Sequence, residues 1–157
     1  MKKGIIVSII IGVLVLSWIG LGKLNDSEEK LTLFSGQEMT LYKSNSCGCC
    51  SLYANYANKK MGSVNVVNKE NMIQIKTDLG VPGLLQSCHT LTIGDYFVEG
   101  HIPIEAITKL LEDKPNILGI AMPGMPSGSP GMPGAKTGDF VVYAVNRDGS
   151  STEFMRL

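Results

Sequence analysis

Residues 39–61 read MTLYKSNSCGCCSLYANYANKKM, and the fold turns on how this stretch divides. Met39 to Lys43 alternates apolar and polar side chains, the period of a half-buried strand, and Ser44-Asn45-Ser46 breaks it. Beyond the cysteines, Leu52, Tyr53, Tyr56, Ala57 and Met61 recur at helical spacing, and Gly62 supplies a stop. The stretch is therefore a strand, a turn carrying Cys47, Cys49 and Cys50, and a helix.

Working outward, Val64 to Val67 predicts a second strand, and Asn71 can cap a helix with Met72, Ile75 and Leu79 on one face, closed by Gly80. Thr90–Ile93 and Tyr96–Val98 flank Gly94-Asp95, a two-residue hairpin loop. Ile104 to Leu111 predicts a helix with Pro103 at its start. The order β-α-β-α-β-β-α is the thioredoxin-like order, an α/β fold whose mixed sheet is flanked by helices. A right-handed crossover between the first two strands puts the Cys47–Cys50 turn at the C-terminal edge of the first strand. Past Lys114 the chain changes character: residues 121–138 are rich in Met, Gly and Pro, too broken for helix or sheet, and Phe140–Val145 with Thr152–Met155 close as a C-terminal β-hairpin across Asp148-Gly149.

The N-terminus reads differently. Lys2 and Lys3 precede an almost unbroken apolar run from Gly4 to Gly22, long enough at 1.5 Å per residue to cross a hydrocarbon core of ~30 Å. Trp18, Ile19, Leu21 and Leu24 stand where a signal peptidase needs small residues, so an uncleaved signal-anchor is favoured over a cleaved signal. The expected division is residues 1–24 as anchor or signal, 25–37 as a polar linker, and 38–157 as one thioredoxin-like metal-binding domain. The expected location is periplasmic or otherwise extracytoplasmic, tethered to the inner membrane with the N-terminus in the cytoplasm. Net charge is zero and no basic cluster stands out, which argues against nucleic acid as a partner.

Three of the four cysteines fall within four positions, and the fourth, Cys88, is followed at once by His89. A protein using cysteines for stability spreads them to close long loops; this one concentrates them. The thioredoxin-like order brings the loop entering the third strand, Ser87-Cys88-His89-Thr90, to face the Cys47–Cys50 turn, and His101 falls at the same edge. Soft thiolate and thioether donors select Cu(I), and short spacing lets sulfurs bridge several ions, so copper is the best-matched metal and zinc the second choice. Met122, Met125 and Met132 add thioethers on the Pro-rich loop.

Each reading has a plainer counterpart. The three clustered cysteines can form a small stapling disulfide, and Cys88 alone can be a small buried hydrophobe. His89 can orient the site through a hydrogen bond instead of ligating. His101 can cap the helix after Pro103, and the three loop methionines can pack that loop onto the sheet. Met39, Met61, Met72 and Met155 read as core, and Asp95 and Glu99 as isolated surface charges without a partner for acid–base work. A rival reading makes the cysteine motif that of a thiol–disulfide oxidoreductase, with Cys47 or Cys49 attacking and Cys50 resolving.

Cys47-Gly-Cys-Cys50, Val81-Pro82, Ser87-Cys-His-Thr90, Val98-Glu-Gly-His-Ile-Pro103 and the run from Ala121 to Met132 together resemble the CopG-type copper-resistance family, from about Met39 to the C-terminus. The resemblance implies a small exported protein of thioredoxin-like fold. It also implies that Cys47, Cys49, Cys50 and Cys88 hold a multinuclear Cu(I)–thiolate cluster, for copper resistance, sequestration or transfer. Copper-donating or copper-accepting proteins of the cell envelope are the expected partners.

Overall fold

A computed structural model describes residues 32–157. The expected anchor and most of the expected linker lie outside the described residues; among those described, no helix is long and apolar enough to cross a membrane. Strand β1 (Met39–Lys43) leads into helix α1 (Gly48–Met61), which returns to β2 (Asn65–Asn68) parallel to β1. Helix α2 (Met72–Asp78) and a 3-10 turn (Gly83–Leu85) precede the antiparallel hairpin β3 (Thr90–Ile93) and β4 (Tyr96–Glu99). Helix α3 (Ile104–Asp113) then crosses to β5 (Ile117–Ala121), parallel to β4, and the hairpin β6 (Val141–Asn146) and β7 (Ser151–Arg156) extends the sheet. The strand order is β2-β1-β3-β4-β5-β6-β7, so the first four strands form the thioredoxin-like half and the last three extend it on one side.

Local chemistry explains most boundaries. Cys47 caps α1, its sulfur accepting from the Cys50 N–H at 3.3 Å, and Lys59 and Lys60 sit in the last turn, where cations suit the helix dipole. Asn71 caps α2 by accepting from Gln74 N at 3.1 Å. The second strand starts one residue later than its apolar pattern predicts, because Val64 is spent as a buried lead-in whose N–H donates to Asn58 Oδ1 at 3.0 Å.

Strand β5 is an element the sequence reading did not assign, and it takes in Ala121, where irregular chain was expected to begin. Residues 117–121 read Ile-Leu-Gly-Ile-Ala, too short and too broken by Gly119 to stand out. The glycine is required there: a Cβ on it would lie 2.2 Å from the Phe97 carbonyl oxygen and 2.6 Å from the Phe97 ring. Phe97 fills that space and packs with Val81, Leu85, Ala121 and Val145 on one face of the sheet. A buried phenylalanine contributes about 1.5–3 kcal/mol, more than the glycine takes from the strand.

Candidate metal centre

The cysteine-bearing segment is the N-cap and first turn of α1, at the C-terminal end of β1. Cys47 and Cys50 are joined as a disulfide, with Cα atoms 5.3 Å apart, while Cys49 and Cys88 are free thiols. Cys88 enters from the loop before β3. Its sulfur lies 3.8 Å from Cys49 Sγ, which is itself 3.6 Å from Cys47 Sγ. Cys50 Sγ lies 3.7 Å from the Cys88 carbonyl oxygen. The four sulfurs fall within 4.8 Å of one another. Such closeness suits ions bridged by shared thiolates once the disulfide is reduced.

A second donor group shares Cys88. The ligand atoms of Cys88, His89 and His101 also lie within 4.8 Å of one another, and His101 Nε2 is 3.0 Å from Cys88 Sγ. His101 Nδ1 donates to the Pro130 carbonyl at 2.7 Å, which leaves the Nε2 lone pair toward the thiol. Burial holds the His101 imidazole below its usual range, against the pull of that hydrogen bond. His89 is fully buried between the Tyr53 ring, 4.2 Å away between centroids, and the edge of His101 at 4.7 Å. Neither of its nitrogens has a hydrogen-bond partner. Burial first, with His101 and Lys76 nearby, lowers its pKa well below the ordinary range and keeps it neutral, the form in which an imidazole can hold a metal. Burial and the neighbouring Cys49 push the Cys88 thiol up to about 11.

The Pro-rich loop lies against this site as an ordered turn. Ser129 is buried, its N–H and hydroxyl both donating to the Pro126 carbonyl, and Met132 N donates to Ser129 O at 2.9 Å. At Gly131, with φ of +80°, a Cβ would lie 2.7 Å from Tyr53 N and 3.0 Å from Cys49 O, so only glycine lets the loop seat on the first turns of α1. Of the loop methionines, Met122 is enclosed, Met132 is half-buried and Met125 is exposed.

Glu99 is not the isolated surface charge its sequence position implies. It is fully buried, forms an ion pair with the equally buried Lys76, and accepts from Thr90 Oγ1 at 2.5 Å and Ser87 N at 2.6 Å. The reason is strand parity: Glu99 stands two residues from Phe97 and points to the same inner face, where α2 supplies the lysine. The apolar set expected to face inward from α2 is only half-buried at Met72, Ile75 and Leu79, whereas Lys76 is its buried side chain. A charged residue ending an otherwise buried strand is the one sequence signal that pointed there. Asp95 remains exposed in the β3–β4 turn.

Comparison with curated protein sequences finds no significant match. Residues 85–132, which run from the 3-10 turn through the Pro-rich loop, match the family described as "Protein of unknown function, DUF411". Among solved structures, "Copper resistance protein copG- Form 2" superposes with a TM-score of 0.71 at 33% identity, covering 77% of this chain and 98% of that one. "Copper resistance protein copG- Form 1" gives a TM-score of 0.70 at 33% identity, with 76% of this chain and 96% of that one covered. At 33% identity and with near-complete coverage of these relatives, the chain belongs to the CopG copper-resistance family.

Proposed function

We infer that this protein is an extracytoplasmic copper-binding protein that holds Cu(I) as cargo on the thiolates of Cys47, Cys49, Cys50 and Cys88, for sequestration or for transfer to envelope partners. The observation that carries the reading is the convergence of four sulfurs within 4.8 Å of one another, with two imidazoles beside them. Packing does not call for that concentration, and soft donors at such spacing favour Cu(I) over zinc, which prefers a relaxed tetrahedron. The similar solved structures are of copper-resistance proteins, which supports the choice of metal. The apolar run from Gly4 to Gly22 supports a membrane tether and an extracytoplasmic site.

The chain's own residues define how the cargo is held. An external dithiol opens the Cys47–Cys50 bond, delivering two electrons and two protons, and the reduced thiols release their protons as metal arrives. His101, held at Nδ1 by Pro130, offers Nε2 beside Cys88, and His89 offers an imidazole with no competing hydrogen bond. The loop through Gly131 lies over the start of α1 and restricts access of water and oxidant. Met122, which is enclosed, and Met132, which is half-buried, are thioethers in reserve on that loop, and Met125 is an exposed one that can meet incoming copper.

The test is anaerobic titration of the reduced full-length protein with Cu(I), beside Cys88→Ser. Several coppers per chain, lost or sharply reduced in the variant, support the cluster. One zinc bound in preference to copper redirects the reading to a structural zinc module. One observation favours an oxidoreductase instead: the Cys47–Cys50 disulfide sits at the start of a helix, as a thiol-exchange pair does. That reading requires turnover in an insulin-reduction assay, abolished by one Cys→Ser change. Turnover without copper uptake would replace the copper proposal.

A further inference from the structure

Beneath the donor groups lies a buried ion pair that the metal chemistry does not use. Lys76 and Glu99 are 4% and 0% exposed, and they meet on the face of the sheet covered by α2. The Glu99 carboxylate takes three donors: Lys76 Nζ and Ser87 N on Oε1, and Thr90 Oγ1 on Oε2. Lys76 Nζ also donates to Thr90 Oγ1 at 3.1 Å. Ser87 and Thr90 bracket Cys88 and His89, so one carboxylate fixes both ends of the two-residue segment that presents a thiol and an imidazole.

The clamp reaches the Pro-rich loop as well. Met122 N donates to the Glu99 carbonyl at 3.0 Å, and Ser87 Oγ donates to Gly124 O at 2.6 Å. On the other side, Gly100 N donates to His89 O at 3.0 Å. Burying a lysine and a glutamate together is seldom more stabilising than apolar packing of the same volume. Stability alone therefore gives little reason for charges here, whereas geometry does: the carboxylate can accept at both oxygens, which no apolar side chain replaces.

We propose that Glu99, with Lys76 holding its charge, is a positioning residue that sets where Cys88 and His89 stand relative to the Cys47–Cys50 segment. The inference rests on the copper reading for its purpose but not for its geometry, since the clamp acts on the metal-free loop. Groups that orient metal ligands typically change affinity by about 10–100-fold when removed.

The experiment compares full-length wild type with Glu99→Gln, Lys76→Met and the double variant Lys76→Met/Glu99→Leu. The double variant removes both charges and restores apolar packing, so it keeps the fold where a single variant leaves one buried charge unpaired. Two readouts are taken on reduced protein: Cu(I) affinity against a competing chelator, and iodoacetamide alkylation of Cys88 relative to Cys49 in the metal-free chain, counted by mass spectrometry. The expected result is about 10–100-fold weaker Cu(I) binding and a raised Cys88-to-Cys49 alkylation ratio in the double variant, at an unfolding midpoint near wild type. A double variant with wild-type affinity and alkylation ratio overturns the proposal and leaves the pair a structural one. If wild type takes up no Cu(I), the copper reading fails, and the alkylation ratio alone still decides the clamp.

Discussion

The carbonyl oxygen of Pro130 lies 2.7 Å from Nδ1 of His101, and that contact decides which nitrogen of the imidazole meets Cys88. With Nδ1 donating, Nε2 carries the lone pair and stands 3.0 Å from the thiol. A loop that sequence alone reads as irregular thereby sets the tautomer of a residue at the donor cluster.

Gly131→Ala tests that coupling without touching any donor. The new methyl would meet Tyr53 N at 2.7 Å, at a φ of +80° that alanine adopts only under strain. The loop must lift, taking the Pro130 carbonyl from His101. We expect a loss of about 1–3 kcal/mol in urea unfolding, together with faster air oxidation of the copper-loaded protein. A variant as stable and as oxidation-resistant as wild type would show that the loop does not shield the site.

The oxidation state of the thiols is the next prediction. In air the metal-free protein should oxidise at Cys47–Cys50, the pair joined in the structure, with Cys49 and Cys88 left open to alkylation. Peptide mapping after air exposure should find that bridge, and Cu(I) capacity should fall until a dithiol restores it. Equal copper binding before and after reductant would count against a site that needs all four thiolates.

The thioredoxin-like half was legible because its signals are local. Alternation at Met39–Lys43, helical spacing from Leu52 to Met61, and turn residues at Gly62 and Gly94 each act within a few positions. The convergence of Cys88 on the Cys47–Cys50 segment followed from strand order alone. What stayed hidden depended on distant partners. Strand β5 carries Gly119 only because Phe97 needs the room, and Glu99 is buried only because Lys76, 23 residues earlier, comes to meet it. No period in the sequence encodes either meeting.

Acid should destabilise the metal-free protein through His89. Burial first, then His101 and Lys76, lowers its pKa well below the ordinary 6.5, so the folded state keeps it neutral while the unfolded chain binds a proton. Stability is therefore full above the unfolded value and is lost as pH falls below 6.5, by up to about 1.4 kcal/mol per pH unit from this residue. Urea unfolding of reduced, metal-free protein at pH 7.5 and 5.5 measures it, and His89→Leu should reduce the slope, leaving the same-signed share of His101, which burial also holds below its usual range. An unchanged slope in that variant would mean that other groups carry the acid sensitivity.

Copper affinity should rise with pH for the opposite reason. Burial, then the neighbouring Cys49, pushes the Cys88 thiol up to about 11, so at neutral pH the metal-free protein holds a proton there that a bound ion must displace. Each displaced proton adds about one unit to the slope of log affinity against pH below the thiol's own pKa. Competition against a chelator across pH 6–8, corrected for the chelator's own protonation, should therefore give a steeper slope for wild type than for Cys88→Ser, by about one unit. A parallel titration in weak buffer should show correspondingly fewer protons released per copper in the variant. If Cys88→Ser instead keeps the wild-type slope while losing copper, the thiol takes no part in the proton exchange. Its loss would then act through the geometry around Ser87, Cys49 and His101, whose side chains its sulfur touches.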